Sequence, residues 1–298
     1  MKIEKYTAKD KASKQINLQS PDGNLIADFS LSEGGRLQQL SYKNQLIIAD
    51  LEHKTYAESF ASSILFPFAN RIQHGNYSHN GKNYQLDCNE NGAQNAIHGL
   101  VYNKEFKLVN QYQNQKESVL ILNFEDVHPP NGFPFPYSIQ LTYTLQNTAL
   151  YVAVQIVNKG TESFPFTIGW HPYFVNQNMA KTLLEFDSLK KILFNHEQIT
   201  IGLAHSFAPK PFPLNTPYID DCFVLYNPNI KLQTDNYKLN INGSSDTKYL
   251  QLYAPPNENR IAIEPMTGIS DSFNHKKGLK TLAANQAYTE TWKIKFNN

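Results

Sequence analysis

Apolar and polar residues alternate with a period of two over much of the chain, most strictly from Tyr137 to Leu145. There the odd positions are Tyr137, Ile139, Leu141, Tyr143 and Leu145, and the even ones are Ser138, Gln140, Thr142 and Thr144. A strand with one buried and one wet face needs that alternation. Asn147-Thr148 offers turn residues and Leu150 to Val157 a second apolar run, so the stretch predicts a β-hairpin. A last alternating segment sets Tyr288, Trp292, Ile294 and Phe296 on one face, and a strand so apolar on one side must pack into a sheet. Shorter β-rich runs, Asn24 to Leu31 and Lys107 to Tyr112 among them, are separated by Gly, Asn, Asp or Pro. Helical periodicity is nearly absent. The pattern predicts a mainly β fold, two large antiparallel sheets packed as a β-sandwich with few short helices. Ala208 to Pro217 and Ala254 to Asn259 read as long loops between strands. No Gly/Ser linker, charge block or fixed-period repeat interrupts the 298 residues, so a single domain over 1–298 is expected.

Composition narrows the partners. Lys plus Arg number 27 against 26 for Asp plus Glu, so no basic excess points to nucleic acid or an anionic membrane. The Met1-Lys2-Ile3-Glu4-Lys5 start lacks an apolar signal core, and no run reaches the roughly 18 apolar residues of a spanning helix. A cytoplasmic protein without membrane contact is the expectation. Cys88 and Cys222 have neither metal-type spacing nor a disulfide pattern and read as small hydrophobes. No phosphate-binding or dinucleotide glycine pattern appears, and no Gly-x-Ser-x-Gly elbow.

Five places could carry chemistry. In Phe166-Thr167-Ile168-Gly169-Trp170-His171-Pro172-Tyr173-Phe174 a single imidazole sits among aromatics. Pro172 forces the residue before it into extended geometry and gives no N–H to a ladder, so His171 belongs at the end or edge of a strand. Trp170, Tyr173 and Phe174 are flat surfaces of the kind that cover a sugar ring, although a lone histidine in such company more often fills a core or turn. Arg71 closes the run Leu65 to Asn70 and brings a donor fork suited to neighbouring hydroxyls, or to a surface ion pair. His98 lies beside Gly99, where the backbone can turn tightly, and is either a second proton carrier or a satisfied turn residue. Asp220 and Asp221 are adjacent, and in an extended chain only one of them can enter a cleft. Glu264 precedes Pro265 after a mostly apolar run, and a carboxylate there is either paired inside the protein or held as a base. The other seven histidines lack paired metal spacing and none is assigned to a metal.

Taken together, these motifs resemble the aldose 1-epimerases, also called galactose mutarotases. The resemblance runs from about Phe66 to the last strand. It rests on Asn70-Arg71-Ile72, on Gly75, Tyr77, Gly81 and Tyr84, and on Ile97-His98-Gly99. Gly132-Phe133-Pro134-Phe135, Gly169 to Phe174, Asp220 three residues before Phe223, and Glu264-Pro265 complete it. Between Thr200 and Pro217 no motif names a sugar. The resemblance implies a large β-sandwich of the galactose mutarotase type with an open cleft on one sheet, no metal and no organic cofactor. It implies Glu264 as general base, His171 as general acid and His98 as a second active-site histidine. Arg71 and Asp220, with Asn70 in the same motif, would hold sugar hydroxyls, and Trp170 and Tyr173 would give stacking surfaces. The implied protein is a monomer or homodimer acting on a small-molecule sugar.

The reaction so implied removes a proton from the C1 hydroxyl while the ring oxygen gains one, opening the ring, and reclosure on the other carbonyl face gives the second anomer. An acid and a base on different edges of the sugar would do this, starting with Glu264 ionised and His171 protonated as reference pKa values of roughly 4.3 and 6.5 allow. Competing readings are a hexose-6-phosphate mutarotase using Lys276, Lys277 or Lys280, a non-catalytic carbohydrate-binding protein, and a glycosidase. The last needs two carboxylates flanking the bond, whereas the best pair here is His with Glu.

Overall fold

A computed structural model describes residues 14–214 and 218–297. The first five residues, and 215–217 of the proline-rich stretch expected to be a loop, lie outside the described residues. The alternation of Tyr137–Gln146 becomes a strand whose odd positions are all buried. It pairs with Ala149–Asn158 in a hairpin running from Tyr137↔Asn158 to Gln146↔Ala149, which leaves Asn147-Thr148 as the turn. From this hairpin one layer extends through Ser118–Asp126 to Lys107–Gln113, and on the other side through Ala287–Phe296 to Lys238–Gly243.

The link to the second layer is Ile219–Gln233, a strand of 15 residues. Its later half pairs with Lys238–Gly243, and its earlier half with Tyr249–Ala254. From there the second layer continues through Arg260–Met266, Tyr173–Val175, Gln45–Ile48, Arg36–Tyr42 and Leu25–Ser30 to Gln15–Gln19. These pairings are antiparallel and belong to one hydrogen-bonded system of 18 strands. The inward faces meet ring against ring: Phe29 lies 4.5 Å from Tyr143, and Trp170 lies 6.1 Å from Trp292 at an interplanar angle of 27°. Burying each such side chain is worth about 1.5–3 kcal/mol.

The two α-helices of the described residues, Tyr56–Ser59 and Ser272–His275, have four residues each. No helix among the described residues is long and apolar enough to cross a membrane. Tyr56–Ser59 lines a cleft beside the small ladder of Arg71–Ile72 with Ala96–Ile97, and Ser272–His275 abuts the same ladder where Asp271 N–H donates to Arg71 O at 2.6 Å.

Candidate active site

The cleft floor follows from strand register. Cys222, Gln251 and Glu264 lie opposite one another across three strands, and one step along lie Asp220, Tyr253, Ala262 and Tyr173. Residues opposed in a sheet share a face, as do residues two apart on one strand. Asp220, Gln251, Tyr253, Glu264 and Tyr173 therefore rise on the same side. His171, two residues before Tyr173, joins them from the gap between Gly169–Trp170 and Tyr173–Val175. Its backbone is fixed on both sides, its N–H donating to Ser63 O at 3.1 Å and its carbonyl accepting from Ser62 N–H at 2.8 Å. The space above this floor is about 410 Å³.

The wall comes from the small ladder. His98 N–H donates to Asn70 O at 2.9 Å, which brings the two loop ends together. Asn70 and His98 hold φ values of 59° and 60°, the left-handed region that side chains rarely adopt. Next to them Gly99 has φ 79°, and a Cβ there would lie 2.2 Å from Phe66 O, so the position admits only glycine. Strained backbone of this kind concentrates where a structure holds groups for a purpose.

His171 Nε2 lies 3.2 Å from Glu264 Oε1, close enough for one proton to serve both. The His98 ring stands perpendicular to that of His171, with centroids 5.1 Å apart. Burial pushes the Glu264 carboxyl well above the ordinary range; the Asp220 charge adds to this and Arg71 opposes it. Burial also pushes the His171 imidazole down to about 4, and burial, then His171 and Arg71, holds His98 well below its ordinary value. Asp220 is raised by burial, against hydrogen bonding from Tyr218 and the charge of Arg71. Four buried polar atoms on cleft-lining residues, Glu264 Oε2, His171 Nδ1, His98 Nδ1 and Ser59 Oγ, have no protein partner. Orphaned groups of this kind are costly and rare in native interiors.

A run of amides joins the two ends of the cleft. Arg71 Nη1 donates to Asn70 Oδ1 at 3.0 Å, Asn70 Nδ2 to Gln251 Oε1 at 3.3 Å, and Gln251 Nε2 to Asp220 Oδ1 at 2.7 Å. Tyr218 completes it by donating to Asp220 Oδ2 at 2.9 Å.

Seven of the residues expected from sequence thus line one cleft: Asn70, Arg71, His98, His171, Tyr173, Asp220 and Glu264. The adjacent carboxylates separate as an extended chain demands, with Asp220 inward and Asp221 pairing with Lys191 at 2.7 Å. Trp170 is a correction. It is fully buried against Trp292 and lines no part of the cleft, because it precedes His171 in extended chain and so points to the opposite face. Phe174 is turned inward for the same reason, and Tyr173 forms floor, its hydroxyl donating to Ser59 O at 3.4 Å. Lys276 and Lys280 are engaged elsewhere, with Ser78 O at 3.2 Å and Asp246 at 2.9 Å, and neither they nor Lys277 line the cleft. The starting state expected from reference pKa values, ionised Glu264 with protonated His171, is opposed by desolvation of both groups.

Sequence reading missed Gln251, Tyr253, Tyr218, Phe60, Lys54 and Glu90. For Gln251 and Tyr253 a signal existed: in Tyr249-Leu250-Gln251-Leu252-Tyr253-Ala254 the odd positions are amphipathic and the even ones apolar. Glu90 lies in an irregular loop with no periodicity to mark it.

Known proteins share this fold. The "uncharacterized protein YihR" of Escherichia coli is 25% identical over 256 residues, 81% of this chain and 80% of its own length. A galactose mutarotase-like protein from Clostridium acetobutylicum has the same fold, with a TM-score of 0.85 at 21% identity over 96% of each chain. Galactose 1-epimerase from Lactobacillus acidophilus superposes with a TM-score of 0.78 at 17% identity, over 95% of this chain and 94% of its own. Residues 15–295 match the family model for aldose 1-epimerase, a span that includes both layers and every side chain of the cleft, and the chain belongs to that family.

Proposed function

We propose that the protein is a mutarotase that interconverts the α and β anomers of a free aldohexose such as galactose or glucose. The observation that carries this reading is the buried contact of His171 Nε2 with Glu264 Oε1 at 3.2 Å on the cleft floor. The two oxygens that exchange protons in ring opening share a single carbon. An acid and a base standing next to each other can therefore reach both oxygens, each from its own edge of the sugar.

In this mechanism Glu264 takes the proton of the C1 hydroxyl and His171 gives one to the ring oxygen. The C1–ring oxygen bond breaks, its electrons leave with the ring oxygen, and C1 becomes the aldehyde carbon. Rotation about C1–C2 and the reverse transfers close the ring on the other face. Each cycle moves the pair from carboxylate and imidazolium to carboxylic acid and imidazole and back, with no covalent intermediate. Burial favours the neutral pair, and sugar hydroxyls arriving against Glu264 Oε2 would stabilise the ionised one. His98 packs its ring against that of His171 and keeps Nδ1 for the sugar, while Asn70, Arg71 and Asp220 orient it.

An uncharged hexose is favoured over a hexose 6-phosphate because Lys276, Lys277 and Lys280 sit outside the cleft, and Lys54, the lysine that does line it, is exposed and donates to the Tyr253 hydroxyl. The test is polarimetry with pure α-anomers of galactose and glucose. Glu264→Gln should lower kcat by about 10²–10⁴-fold while calorimetry still detects sugar binding. Wild-type turnover in that variant would remove Glu264 from the mechanism, and binding without anomerisation by the wild-type protein would make it a carbohydrate-binding protein.

A further inference from the structure

Two cationic residues line the cleft among the described residues, Lys54 and Arg71. Lys54 is exposed and donates to the Tyr253 hydroxyl at 3.3 Å. Arg71 lies deeper, its side chain 17% exposed. Its Nε donates to Glu90 Oε1 at 2.7 Å, Nη2 lies 2.7 Å from the same oxygen, and Nη1 donates to Asn70. A guanidinium has five N–H groups, so at least two remain for a ligand. Arg71 therefore keeps donors for hydroxyls while its charge is matched at contact distance.

Glu90 is itself held in place. Its Oε2 accepts from Asn95 Nδ2 at 3.0 Å, and Asn95, fully buried, accepts the backbone N–H of His74 at 3.0 Å. Its neighbour Asn89 brackets the small ladder, accepting Ile97 N–H at 2.8 Å and donating to Ile97 O at 3.1 Å. The carboxylate is thus fixed behind the guanidinium, its own side chain 14% exposed. Solvent screens such a pair far less than one on the surface. Asp220 lines the same cleft, so an entering anion would meet negative charge without an unmatched buried cation to offset it.

We infer that Glu90 is a specificity-determining residue: by matching the charge of Arg71 it sets the cleft for uncharged aldoses and against sugars bearing a carboxylate or phosphate. This rests on the proposed mutarotase activity, and the test separates the two. Glu90→Gln keeps an oxygen for Arg71 and removes the charge; Glu90→Asp keeps the charge. For each protein, kcat/KM is measured with D-glucose and D-glucuronate at low ionic strength, together with competitive inhibition by inorganic phosphate. Wild type and Glu90→Asp should favour glucose. Glu90→Gln should narrow the glucose-to-glucuronate ratio by about tenfold or more and acquire phosphate inhibition that fades with salt. A variant that loses both sugars in proportion, or a wild type that uses glucuronate as well as glucose, overturns the inference. Should the wild type turn over neither sugar, the mutarotase reading fails by itself, and calorimetric titration with inorganic phosphate still decides the role of Glu90. Binding confined to Glu90→Gln supports it, and equal binding to both proteins overturns it.

Discussion

Glu264 and His171 titrate under one constraint, since removing water raises the pKa of a carboxyl and lowers that of an imidazole. On the proposed mechanism the working pair holds a single proton between its two members. Acid adds a second at His171, whose pKa burial lowers from 6.5 to about 4; alkali removes the first from Glu264, raised well above 4.5. The acid limb of kcat/KM should therefore fall at about pH 4, and a limb near 6.5 would mean that His171 is not desolvated in the working cleft. Stability follows with the opposite sign. A carboxyl whose folded pKa is raised favours folding fully below its unfolded value near 4.5, and that contribution is lost as pH rises toward the folded pKa. Glu264→Gln should then melt above the wild type, with a gap that widens from pH 5 to pH 8. Thermal scans across that range check it, and a constant gap would leave the buried carboxyl without the raised pKa. A site residue that costs stability is the usual pattern where catalysis needs a desolvated charge.

Elements carry those side chains, and the element rule of alternation explains which were legible. It sets Asp220 and Asp221 on opposite faces without saying which one enters the cleft, and it turns Trp170 away from the cleft once His171 faces it. The long alternating strands were equally plain, because Tyr137 to Leu145 repeats its pattern over enough positions to exclude a helix. Glu90 and the left-handed backbone at Asn70 and His98 were beyond reach, since loop positions depend on contacts between segments far apart in sequence. Gly99 shows how such a segment is fixed. Gly99→Ala meets both a positive φ and Phe66 O at 2.2 Å, and should cost about 3 kcal/mol or more together with most activity, as His98 is displaced. Gly81 has φ 76° with nothing within 4 Å of its would-be Cβ, so Gly81→Ala should cost only about 1–2 kcal/mol and leave kcat/KM unchanged. Denaturant titration of the two variants compares them directly, and equal losses would mean that the packing against Phe66 is not tight.

At the scale of the molecule, the strand Ile219–Gln233 belongs to both layers, with Asp220 at one end serving the cleft and its later half paired to Lys238–Gly243. Loosening one layer therefore pulls on a strand of the other. The two tryptophans of the chain sit across that junction, Trp170 behind the cleft floor and Trp292 in the opposite layer, and so report on the contact between the layers. Their fluorescence and sugar binding should be lost in a single coincident denaturant transition, the behaviour of one cooperative unit; two separated transitions would mean that the layers unfold apart. The same pair distinguishes a core tryptophan from a stacking wall. Trp170→Phe removes buried volume on the face away from the cleft and should cost about 2 kcal/mol of stability. Its kcat/KM for sugar should stay within about twofold of wild type, because the ring packs against Trp292 on the face away from the cleft while the His171 backbone stays bonded to Ser62 and Ser63. A large loss of KM or kcat at unchanged stability would instead return Trp170 to the sugar, and would require the chain around His171 to adopt the opposite facing from the one its register with Arg260–Met266 dictates.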